Sequence, residues 1–142
     1  MIYNNTDMAD YTDDQRQHLA FIQDVITRMN SNSFSLKGLM ITIVAALAAF
    51  FVGNYDQSTA IIYLGIAILL VVIFWFLDAY YLKMEQQYRK LYDDAVAGKA
   101  ELYKMKADDY EVCFCKMLFS KTIWPLYIPV LTILIVAIIF IH

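Results

Sequence analysis

The chain has 142 residues, 61% of them hydrophobic and 18% charged, with a formal net charge of -3. That apolar share is well above the usual one for soluble domains, and the balance of charge offers no basic surplus for nucleic acid, so direct nucleic-acid binding is set aside. The apolar residues stand in three blocks, which points to an all-α membrane protein with three transmembrane helices, an N-terminal amphipathic helix and a cytosolic helical hairpin.

Residues 1–37 are expected to form a cytosolic amphipathic helix and an elbow. Positions 1–33 are polar or amphipathic and contain no continuous apolar core, so no cleavable signal peptide is expected. Thr12 followed by Gln15 is a capping pattern, and Leu19, Ile22, Val25 or Ile26, and Met29 recur at helical spacing. A helix over about 13–30 with one apolar stripe follows, lying on the membrane or on a neighbouring helix. The run Asn30-Ser31-Asn32-Ser33 then predicts a break at the headgroup boundary.

Residues 38–79 read as a transmembrane hairpin with spans at about 38–53 and 60–77. The first block is uncharged over 39–53 but reaches spanning length only with Phe34, Leu36 and the stem of Lys37. The second is dense in Ile, Leu and Val, with Trp75 near one end. Residues 80–121 form a cytosolic helical segment: Leu77, Tyr81, Met84, Tyr88, Leu91 and Ala95 alternate at steps of four and three, so the second helix should continue to about 96. Gly98 suits a turn, 99–109 is expected to return as a shorter helix, and 110–119 reads as an interfacial segment beside Lys116 and Lys121. Residues 122–142 are the third span, uncharged over 123–141 and opening with Trp124, Pro125, Tyr127 and Pro129.

Orientation follows from the basic residues. Arg16, Arg28 and Lys37 precede the first span, eight lie between the second and third, and none is in loop 54–59 or after the third span. All eleven Lys and Arg therefore fall on one side, which places the N-terminus in the cytoplasm and the C-terminus in the periplasm of a cell inner membrane.

Asp78 closes the second span at the height where Lys37 enters the first, so the two are proposed as an interfacial charge pair. Thr42, Ala45, Ala46, Ala49 and Gly53 lie along one flank at steps of three and four, a helix-packing face whose partner is either the second span or another copy. The stripe Tyr81, Met84, Tyr88 and Leu91 is a cytosolic interaction stripe that could hold subunits together, dock a partner or fold back on the N-terminal helix. No catalytic, cofactor or metal site is expected. His18 and His142 fall on opposite sides of the membrane in this topology, the four glycines are isolated, and Cys113 and Cys115 read as free thiols. The acidic pairs 93–94 and 108–109 read as solvated surface.

The stretch from Ile26 to Gly38, with its Arg28-Met29 pair and the run Asn32-Ser33-Phe34-Ser35-Leu36-Lys37-Gly38, resembles small bacterial membrane proteins in which an amphipathic helix enters such an elbow. The run Phe74-Trp75-Phe76-Leu77-Asp78-Ala79-Tyr80-Tyr81 fits the same group, and together these cover about half of the chain. The layout is similar to that of SLATT-type domains, which are associated with membrane effector roles in bacterial defence; the third span departs from that plan. The resemblance implies importance for Arg28, Asn32, Lys37 and Asp78. It also implies a self-associating effector or accessory component of a defence or stress system that alters membrane integrity when triggered from the cytoplasm. The alternative is a non-permeating membrane anchor or scaffold that recruits or restrains a cytosolic protein. The expected partners are the lipid bilayer, further copies of the chain and, in the second case, that cytosolic protein.

Overall fold

The computed structural model describes residues 11–53 and 56–141. Among them the chain is helical, with no strand: α1 is Asp13–Gly53, α2 Gln57–Val96, α3 Phe114–Leu118 and α4 Trp124–Ile141.

At the start of α1 the Thr12 amide donates to Gln15 Oε1 (2.9 Å) and the Gln15 amide to Thr12 Oγ1 (3.4 Å), a reciprocal cap that satisfies two otherwise orphaned donors. Asp13 and Asp14 in the first turn face the positive end of the helix dipole. The helix then continues for 41 residues, about 60 Å at 1.5 Å per residue. The elbow expected at 30–33 is absent. Asn and Ser cost only a few tenths of a kcal/mol each in a helix interior relative to Ala, and here Ser33 is buried and bonded to α2 while Ile22, Ile26 and Met40 pack on either side of it. Tertiary contacts along a continuous rod outweigh that local penalty.

Asp56 caps α2, accepting from the Thr59 amide (3.2 Å) and the Thr59 hydroxyl (2.9 Å). The 40-residue helix runs antiparallel to α1, so the Tyr11 hydroxyl meets the Val96 carbonyl at the far end (3.1 Å). It ends where Gly98 takes a φ of +69°, the left-handed conformation that favours glycine.

The chain does not return as a helix over 99–109. It returns as an irregular strap over 99–113, held to α2 by side chains that satisfy its carbonyls: Gln87 Nε2 to Tyr110 O (2.9 Å), Lys90 Nζ to Glu111 O (2.8 Å) and Tyr88 Oη to Met105 O (3.3 Å). Tyr110 Oη donates to Asp94 Oδ2 at 2.8 Å. Backbone groups paired in this way no longer need helical partners. Tyr103, at φ +62°, is held in a strained backbone conformation by α1, its hydroxyl 3.1 Å from both Asp14 Oδ1 and Gln17 Oε1.

Two apolar clusters divide the hairpin. In the charged half, Ile22 and Ile26 of α1 meet Leu91 of α2 and Ala107 of the strap, with Tyr88, Tyr92 and Met105 around them. In the apolar half, Met40, Leu64, Ala67, Val71 and Phe74 meet Ile123, Tyr127 and Leu134. Described over Asp13–Phe50 and Thr59–Val96, α1 and α2 are long and apolar enough to cross a membrane. Only 11% and 28% of their most apolar windows are buried within the chain, whereas a core helix of a soluble protein would be mostly covered.

The 18 residues of α4 span about 27 Å, somewhat less than a hydrocarbon core of roughly 30 Å. Pro125 occupies the first turn, where a missing N–H costs nothing, while Pro129 removes one interior donor. Tyr127 lies against Trp75, and Leu134 shares a void with Leu64 and Ala67, so α4 runs antiparallel to the apolar half of α2.

Candidate functional site

The apolar and charged halves meet at one level, and polar side chains from α1 and α2 converge there. Ser33 and Lys37 are one helical turn apart and so share a face of α1. Opposite them, Asp78 of α2 has no exposed surface. Ser33 Oγ donates to Asp78 Oδ1, Lys37 Nζ donates to Ser33 Oγ at 2.8 Å, and the same ammonium stands 2.7 Å from Asp78 Oδ2. The contact to Oδ2 is an ion pair, beside the hydrogen bond that the same ammonium gives to Ser33. Lys37 and Asp78, which the sequence places at matching depth, thus form a compact neutral triad with Ser33.

The other two helices close on the same level. Tyr127 of α4 is fully buried and its hydroxyl approaches the Phe74 carbonyl (3.4 Å) within electrostatic reach of Asp78. Trp75 stacks on Tyr127 with centroids 6.2 Å apart, meets Phe119 edge-on at 5.9 Å and donates Nε1 to the Leu118 carbonyl at the end of α3 (2.9 Å). Phe76 stacks on Phe114 of α3. All four helices are therefore tied together within about one turn of Asp78. Neutralising a wholly buried carboxylate by an ammonium that keeps 18% of its side-chain surface avoids an uncompensated buried charge, which is the costly case.

Comparison with known proteins finds no family model, no curated protein and no solved structure that matches the chain. The site therefore has to be read from its own chemistry. It holds a carboxylate, an ammonium and hydroxyls, and the carboxylate is committed to its partners. Among the described residues no three His, Cys, Asp or Glu side chains converge as a metal site would require. What the triad does is fasten α1 to α2 where the two halves of the hairpin join.

The other sequence candidates are dispersed. Thr42, Ala45, Ala46 and Ala49 are exposed on the side of α1 away from α2, because Ile43, Val44 and Leu47 supply the packing instead. The second span is therefore not their partner; Gly53's surroundings lie outside the described residues. Of the stripe, Leu91 is buried and Tyr88 packs beside it against Ile22 and Ile26, while Tyr81 and Met84 are half-buried. That end of the stripe is covered within the chain. Arg28 and Asn32 are exposed, not part of an elbow.

His18 is buried against Tyr103 at 5.9 Å, with no hydrogen-bond partner for Nε2 among the described residues; His142 lies outside them. Cys113 and Cys115 are free and exposed; Asp93, Asp108 and Asp109 are exposed too, Asp109 paired with Lys106 at 2.9 Å. Sequence reading missed Ser33 and Tyr127. The four-residue step from Ser33 to Lys37 signals the first, but nothing local connects Tyr127 to Asp78 across 49 positions. It also missed Glu85, a second buried carboxylate, whose Oε1 takes both Arg89 Nε and Nη2 at 2.8 Å.

Proposed function

We propose that this is a multi-pass protein of a bacterial inner membrane, with three spans, a cytoplasmic N-terminus and a periplasmic C-terminus. We further propose that it self-associates and acts as an effector or accessory component of a defence or stress system, altering membrane integrity when its cytoplasmic helices are triggered. The observation that carries the reading is continuity. α1 and α2 each run unbroken from the charged half into the apolar half and are fastened together by Lys37 and Asp78 at the junction. A force or ligand acting on the cytoplasmic ends would move the membrane segments as rigid rods, which a flexible elbow would not permit.

Support for three spans comes from the packing of the apolar α4 along the apolar half of α2, and from the basic residues, all of which lie on the charged side of the spans. The outward small residues of α1 leave a face on which copies could approach closely. No catalytic step or cofactor enters this reading.

A second reading is a non-permeating anchor that recruits or restrains a cytosolic protein. It is favoured by the apolar half itself, where the void among Val44, Leu64 and Leu134 measures only about 20 Å³ and is lined mainly by apolar groups. That is room for about one water, without the polar partners a water needs. Expression in a bacterium, with membrane potential and dye entry followed during phage infection, separates the two. Depolarisation by the wild type that Asp78→Asn abolishes supports the effector; a membrane polarised under every trigger supports the anchor.

A further inference from the structure

One face of α1 changes character along its length. Arg28, Asn32, Ser35, Leu36 and Leu39 follow at steps of four, three, one and three, so they share a face that passes from a cation through an amide and a hydroxyl to aliphatic carbon. The last four line a groove of 210 Å³ with Tyr81 of α2 as its other wall. Arg28, Asn32, Ser35 and Leu39 are exposed, Leu39 by 51%.

The polar end of this groove offers hydrogen-bond donors from Asn32, Ser35 and Tyr81, and Arg28 stands one helical turn beyond Asn32, outside the lining. Among the described residues Arg28 has no ion-pair partner, and the Asn32 amide, Ser35 hydroxyl and Tyr81 hydroxyl have no hydrogen-bond partner. The nearest acidic residue on that face is Asp24, a turn beyond Arg28 and away from the groove. Asn32 to Leu39 covers about 10 Å of helix axis, and the transition falls beside Ser33 and Lys37, at the level of the buried triad. A site with donors and a cation at one end and aliphatic carbon at the other fits an amphiphilic anion aligned with the helix.

We propose that this groove holds an anionic phospholipid of the cytoplasmic leaflet. Its phosphate is bound by Arg28, Asn32, Ser35 and Tyr81, and its acyl chain lies along Leu36 and Leu39. The site rests on the membrane reading above, because only an inserted chain orders donors and aliphatic groups in the same sense as a lipid. A free phosphate ester would use the donors but leave the aliphatic end without purpose.

The full chain, extracted and reconstituted in nanodiscs of phosphatidylcholine with phosphatidylglycerol, is examined by native mass spectrometry after detergent exchange. The wild type should retain phosphatidylglycerol in preference to phosphatidylcholine. Arg28→Ala should lower that retention about tenfold, the scale of one charge-assisted contact; Leu39→Gln should lower it by a similar factor, about tenfold, through lost apolar contact with the acyl chain; and Lys121→Ala, a basic residue outside the groove, should leave it unchanged. Arg28→Lys should recover part of the loss. Equal retention of the two lipids, loss with Lys121→Ala as large as with Arg28→Ala, or full displacement by inorganic phosphate would overturn the proposal. Alkaline carbonate washing of native membranes reports separately on insertion: release of the wild type would remove the membrane reading and the lipid site together, whereas retention without lipid preference removes the site alone.

Discussion

The Lys37 ammonium stands 2.7 Å from an Asp78 carboxylate that has no exposed surface, and Ser33 bonds to both. Removing one member of such a buried pair is costly mainly because of the charge left behind. Asp78→Asn should therefore destabilise the protein, toward the lower end of roughly 3–5 kcal/mol because Lys37 can still reach solvent. Lys37→Met in the same chain should restore most of the loss. Thermal unfolding of the two single variants and the double variant in one detergent measures this, and a double variant as damaged as Asp78→Asn would dismiss the pairing.

Ile22 has no exposed surface and sits between α2 and the strap, so Ile22→Ala should open a cavity in the charged half. The expected cost is about 2–5 kcal/mol, read by hydrogen exchange as faster opening of 13–30 and 84–96. Phe34→Ala, at a position 77% exposed, serves as the comparison and should leave exchange in those segments unchanged. Equal effects would mean that Ile22 holds the charged half together no better than an exposed side chain does.

Tyr110 ties the strap to α2 through Asp94. Its phenol is pushed up to about 12, first by burial and then by its hydrogen bond to Asp94 and the charge of that carboxylate. In the unfolded chain a tyrosine ionises near 10, so the contribution of this group is fully present below pH 10 and is lost as pH rises toward 12. In a phenolate absorbance titration Tyr110→Phe should have one late-titrating group fewer than the wild type. The variant should also loosen 99–113 by about 1 kcal/mol, and an unchanged titration would remove Tyr110 from that role.

Ala49 faces away from α2. Ala49→Leu should therefore leave the monomer within about 0.5 kcal/mol of the wild type, as an exposed substitution does. If copies meet on this face, the added bulk separates them and the detergent-solubilised particle becomes smaller in light scattering. An unchanged mass would exclude the face from assembly.

How much of this was legible differs from element to element. Thr12 and Gln15 announce the α1 cap because both partners are local, and Gly98 marks the turn because few other residues tolerate a φ of +69°. The elbow at 30–33 and the helix at 99–109 were misread for one reason. Each was judged on local propensity, a matter of tenths of a kcal/mol per residue, while the outcome was set by partners on another element: Asp78 for Ser33, and Gln87, Tyr88 and Lys90 for the strap carbonyls.

Apolar periodicity and the distribution of charge were enough, by themselves, to establish long apolar helices, a charged half beside an apolar half, and Lys37 and Asp78 at one depth, because those properties follow from spacing along the chain. Only the tertiary structure decided which side of α1 faces α2, that its small residues turn outward, that Tyr127 and Trp75 stack on one another near the level of the charge pair, and that an amphiphilic groove opens between Asn32 and Tyr81. Those outcomes depend on the rotation and register of one helix against another, and rotation is chosen by the sum of many contacts between residues far apart in sequence.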